Sequence, residues 1–143
     1  MKKNLKILAV VLVIVTLATV LASCSAKPNA DPAAAVKALE QNHYRILSND
    51  TEALPAAYAA QGVADVTCVV NATKTVTNKK DEQKVEGITI LYFKDAAAAK
   101  AALDKATELL TVEQQDSFGS KFIVKQSGSL IYAGTKNAIK AAK

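Results

Sequence analysis

Four side chains hold most of the reactive chemistry in this 143-residue chain: Cys24, Cys68, the single histidine His43 and the single arginine Arg45. Thiol chemistry runs through the thiolate, which forms beside a helix N-terminus or cationic neighbours. Cys68 instead alternates with Val66, Val70 and Ala72 on one side of a strand pattern, and so reads as a small buried hydrophobe. An imidazole metal site needs further ligands, and no His-Glu-x-x-His or related spacing surrounds His43. Arg45 carries the planar fork that grips a carboxylate or phosphate, but no glycine-rich cradle precedes a helix. His43 and Arg45 are therefore the candidate ligand-binding residues, each weighed against a plain surface role. Asp81, Glu82 and Glu86 cluster, yet Lys79, Lys80 and Lys84 interleave with them, and the oxygens do not fall at calcium-loop spacing. With no nucleophile–base or acid–base pair, no catalytic residue, metal or cofactor is assigned.

The elements that must position these residues follow from periodicity. Asp31-Pro32 reads as an N-cap and a first helical residue, and Ala35, Val36 and Leu39 recur at helical spacing through Gln41. Asn42 is the expected left-handed residue beyond that helix. A short strand over 43–48 follows, with Tyr44 and Ile46 on one face; the alternative runs the helix on to Leu47. Pro55 suits the first turn of an alanine-rich helix that Gly62 ends. Residues 63–74 alternate as a half-buried strand. Residues 85–93 are apolar on both faces and predict a central strand, joined to the first by the charged connection 78–82.

Asp95 caps the strongest helix, 96–110, with Ala99, Leu103, Ala106 and Leu110 on one face. The polar stretch 111–120 reads as a connection. Strands at 121–126 and 130–133 meet around Ser127-Gly128-Ser129, and a last helix covers 136–142. The expectation is an α+β fold: an antiparallel sheet with helices on one face. Its core has the ferredoxin-like β-α-β-β-α-β order, with an added N-terminal helix and a C-terminal strand and helix.

The chain's start has its own pattern. Lys2, Lys3 and Lys6 precede an uncharged run of 15 residues, Ile7 to Leu21, and then Leu21-Ala22-Ser23-Cys24. As a helix that run is about 22 Å long, short of the roughly 20 residues that span a bilayer core and suited to a removable signal. The stretch resembles the signal peptide and lipobox of a bacterial lipoprotein. The resemblance implies that residues 1–23 are removed and that Cys24 takes a diacylglyceryl group on its sulphur. Residues 24–31 then form a linker, and residues 32–143 one α+β domain. Two acyl chains hold a protein stably at a membrane where one is marginal. The implied address is the extracytoplasmic face of the cell membrane, or the outer membrane if the host has one. A signal-anchor helix with an incidental Cys24 is the competing reading.

That division settles the charge. The full chain is +5, but the 23 signal residues contain three lysines and no acid, which leaves +2 on 120 residues. No basic stripe remains and the seven aromatics are scattered, so nucleic acid is not an expected partner. If Cys24 is lipidated, Cys68 has no intramolecular disulfide partner. The expected function is non-catalytic: an envelope accessory domain that binds another envelope protein or a small ligand. The rivals are a small enzyme built around Arg45 and His43, favoured if Arg45, His43 or Asn71 converge in one deep pocket, and a purely structural surface component.

Overall fold

The computed structural model describes residues 26–118 and 121–143; the expected signal peptide and Cys24 lie outside the described residues. The elements run α1 (Pro32–Gln41), β1 (Arg45–Asp50), α2 (Ala53–Ala60), β2 (Val66–Thr77), β3 (Gln83–Phe93), α3 (Ala96–Phe118), β4 (Ile123–Ser127), β5 (Leu130–Gly134) and α4 (Lys136–Ala141). The strands form one antiparallel sheet in the order β1-β2-β3-β5-β4. The expected α+β class, with its extra N-terminal helix and C-terminal strand and helix, is the class observed.

Two finer expectations change. A split βαβ order would place another strand between β1 and β2, but these two pair directly, Asn49 opposite Val70. Helices also cover both faces of the sheet. α1 and α4 pack Leu39, Ala138 and Ile139 against Val70, Ile88, Ile90 and Tyr132. α2 and α3 pack Tyr58, Ala99, Ala106 and Leu110 against Val69, Leu91, Phe93 and Ile131. The cause lies in β3 and β5, whose residues 88–93 and 130–134 are all buried. Strands apolar on both faces need a layer on each.

Local chemistry adjusts several boundaries. Asp31 caps α1 through Ala34 N–H at 3.3 Å, and Pro32 opens it, as expected. The left-handed residue beyond α1 is His43 (φ 64°), not Asn42. Tyr44 N–H donates to Leu39 O and His43 N–H to Glu40 O, both at 2.9 Å, which closes a Schellman motif. Asn42 stays near-helical so that its side-chain amide reaches Ala38 O at 2.8 Å and Ala141 O at 3.4 Å, tying α1 to α4.

α3 continues past the expected stop at 110 to Phe118. Its last turns bury Gln114 and lay Phe118 on Gly87, where a Cβ would collide with the ring and meet Ala72 O at 3.0 Å. Tertiary contact therefore overrides middling helix propensity in Thr111 and Val112. Two bulges re-aim side chains. The register slips between Ile46 and Ser48 in β1 and between Val66 and Cys68 in β2. As a result Val66 packs toward α2 and α3, while Cys68, Val70 and Ala72 face α1 and α4. No described helix is long and apolar enough to cross a membrane.

Candidate functional site

Over β1, β2 and β3, between α2 and the last turns of α3, lies a cleft of about 320 Å³. The β1 bulge brings Ser48 onto this face, opposite Asn71 of β2, and Asn71 in turn lies opposite Thr89 of β3. The three join Gln114 in one directed chain. Gln114 Nε2 donates to Thr89 Oγ1 at 3.3 Å, Thr89 Oγ1 donates to Asn71 Oδ1 at 2.6 Å, and Asn71 Nδ2 donates to Ser48 Oγ at 2.8 Å. Such chains polarise one another and fix each member's orientation.

Gln114 is only 3% exposed, and its Oε1 is the one buried side-chain polar atom without a hydrogen-bond partner among the described residues. Leaving a buried acceptor unpaired costs roughly 1–3 kcal/mol. That oxygen is itself shut off from solvent, behind the wall of the cleft that Gln114 helps to line. Leu54, Phe118 and the 56%-exposed Leu47 supply apolar lining beside it. At one side Glu113 accepts the Tyr58 hydroxyl at 3.0 Å. Burial first, and then the Glu113 charge, hold the Tyr58 phenol well above its ordinary pKa, so it stays a donor.

A second cleft, about 410 Å³, lies on the other face, lined by Asn42, Tyr44, Lys74, Glu86 and Asn137 among others. Here Glu86, 9% exposed, accepts the Tyr44 hydroxyl on Oε2 at 2.9 Å and Asn137 Nδ2 on Oε1 at 2.8 Å. Lys74 Nζ donates to Asn42 O at 3.0 Å and lies 5.5 Å from the Tyr44 ring centroid. Burial, then the Glu86 hydrogen bond and charge, raise the Tyr44 pKa well above its ordinary value. Both carboxylate oxygens have donors, so this cluster ties α1 and α4 to the sheet.

The residues singled out from sequence fall elsewhere. His43 is exposed at the end of α1, and Arg45 is exposed at the start of edge strand β1. Neither lines either cleft. Cys68 is buried, donates to Asn49 Oδ1 at 3.3 Å, and has its pKa raised by burial and secondarily by Asp50, the opposite of an activated thiol. Among the described residues no cluster of His, Cys, Asp or Glu has metal-site geometry.

Ser48, Thr89 and Gln114 were missed. One signal existed: Thr89 is the polar residue inside the apolar run Ile88-Thr-Ile-Leu. Gln114 gives none, because it sits in a stretch that reads as a polar connection. In comparisons with protein-family models, curated proteins and solved structures, nothing matches this chain.

Proposed function

We propose that the chain is a lipid-anchored, extracytoplasmic domain that binds a small ligand in the cleft between α2 and α3 without converting it. The observation that supports the binding half is the cleft itself, where the hydrogen-bonded Ser48, Asn71 and Thr89 lie beside the apolar Leu47, Leu54 and Phe118. Reaction chemistry has less support. The ionisable groups nearest the cleft are Glu113 and Tyr58, and they are engaged with each other. Candidates His43 and Arg45 stand outside it.

The membrane half rests on Lys2, Lys3, Lys6, the uncharged run and Leu21-Ala22-Ser23-Cys24. Cys24→Ala moves the protein from the membrane to the soluble fraction; wild-type chain released as a cleaved, unlipidated product contradicts the anchor. For binding, Ser117→Trp fills the cleft from an exposed rim position and leaves the core untouched. A panel of small metabolites raises the Tm of wild type for at least one compound, and Ser117→Trp loses that shift. Equal shifts in both proteins would move the site elsewhere.

A further inference from the structure

We infer that two copies of this chain pair through the outer edge of β1, antiparallel and in the register that sets Arg45 of each copy against Asp50 of the other. β1 bonds β2 on one side, and its other side opens to solvent, with Arg45, Leu47 and Asn49 exposed. Such an edge carries a row of backbone donors and acceptors ready for a further strand. Pairing all of β1 with itself about a two-fold axis normal to the sheet sets Arg45 against Asp50, Ile46 against Asn49 and Leu47 against Ser48. Residues opposite one another in an antiparallel pair share a face of the sheet. A regular strand fails that condition here, because side chains alternate and the members of each pair are an odd number of residues apart. The bulge between Ile46 and Ser48 restores it. Leu47 and Ser48 both line the α2/α3 cleft, whereas Ile46 packs into the α1/α4 core and Asn49 meets Cys68 on that same face. Arg45 and Asp50, each next in the alternation, fall together on the α2/α3 face.

Charge completes the match. Arg45 makes no ion pair among the described residues, and half-exposed Asp50 has one oxygen engaged, by the Glu52 N–H at 2.7 Å. The pairing gives each arginine a carboxylate, one contact at either end of the joined strands, and opposite charges placed so across strands are favourable. The other edge of the sheet gives the contrast. β4, paired on itself in the same way, sets Lys125 against Lys125 of the second copy, which is unfavourable. Apolar surface also flanks β1. α2, whose Leu54 shares the cleft with Leu47, carries no charge and exposes Ala56, Ala57, Ala59 and Ala60. Apolar surface beside an open edge fits burial by another chain. In this pairing Leu47 of the second copy lies opposite Ser48 at the rim of the α2/α3 cleft, so each cleft gains an apolar side chain from the other copy. The pairing stands on β1 and does not depend on what the cleft binds or on the lipid anchor.

Disulfide trapping tests the register. Full chains carrying Arg45→Cys and Asp50→Cys are co-expressed, extracted in detergent and oxidised with copper phenanthroline. In a mixed pair the two new thiols lie opposite each other, within the roughly 4.4–6.8 Å between Cα atoms that a disulfide spans, and the other end keeps its arginine and carboxylate. In Arg45→Cys alone the thiols stand five residues apart along the strands, about 17 Å. The expected result is at least fivefold more disulfide-linked dimer from the mixture than from either variant alone, with wild type giving the background. As much linked dimer from Arg45→Cys alone would overturn the register, and none from the mixture would overturn the pairing. Charge reversal tests the same contact with other side chains, read as co-purification of differently tagged full chains. Arg45→Asp and Asp50→Arg each bring like charges together and lose self-association at least fivefold, and the two variants mixed recover the wild-type level. Equal association in every combination, no recovery in the mixture, or no association of wild type would each overturn the proposal; where a charge-reversed chain fails to fold, the cysteine pair decides.

Discussion

On the α1/α4 face of the sheet, Glu86 offers two oxygens and each has a donor from a different element, Tyr44 before β1 and Asn137 in α4. On the α2/α3 face, Gln114 gives its nitrogen to Thr89 and has no donor for its oxygen. Both groups are buried, and both sit beside clefts of a few hundred Å³. The completed cluster works as a clamp, and losing any member leaves a charged acceptor or two donors unpaired. The incomplete one leaves a buried oxygen behind the wall of a cleft without a protein donor, at a cost to the fold.

The largest expected effect is on the clamp. Glu86→Ala strands the buried Tyr44 hydroxyl, while the exposed Asn137 turns to water, and should destabilise the chain by about 2 kcal/mol in urea unfolding. A loss below about 1 kcal/mol would make the two faces equivalent.

Next is Gly87→Ala, which pushes a methyl into Phe118. Overpacking of this kind costs about 2 kcal/mol, and since Phe118 lines the α2/α3 cleft, ligand binding should weaken with it. Unchanged binding alongside lost stability would separate Phe118 from recognition.

Alkaline pH sharpens the comparison differently. Burial is the first cause of raised pKa values for Tyr44, Tyr58, Tyr92 and Tyr132, and for Cys68. These groups stay protonated in the fold. Their contribution is complete below the ordinary values of 9.0 for Cys68 and 10.0 for tyrosine, and is lost as pH rises beyond them. Three of the four tyrosines and Cys68 belong to the α1/α4 face. The urea midpoint should fall above about pH 10, with tyrosinate absorbance and loss of α1 packing appearing together. A midpoint unchanged to pH 12 would contradict that packing.

The smallest effect falls on the incomplete cluster. Gln114→Leu removes the orphan oxygen and keeps a strong helix former of similar size, so stability should change by less than about 1 kcal/mol in either direction in urea unfolding. A loss above about 2 kcal/mol would mean that the oxygen has a partner in the fold.

How far the sequence carried these conclusions depended on range. Caps and turns were legible because they are local: Asp31-Pro32, Gly62 and the Gly128 hairpin all sit where their chemistry put them. The apolar run in β3 was recognised as two-sided, and the structure gives its physical consequence, a helical layer on each face. Strand order was not legible, since βαβ spacing does not say whether the two strands meet or are split. Nor was the site. Ser48 reaches it only through a one-residue bulge, and Gln114 only because α3 runs on to bury it against Thr89. Rarity drew attention to His43 and Arg45, and rarity carries no geometry.

The central claim is that the cleft between α2 and α3 holds a ligand. Thermal unfolding of wild type and Ser117→Trp against a panel of small metabolites tests it most directly. The account predicts at least one compound that raises the wild-type Tm and leaves Ser117→Trp unmoved. Equal shifts in both proteins, or none in either, would contradict it.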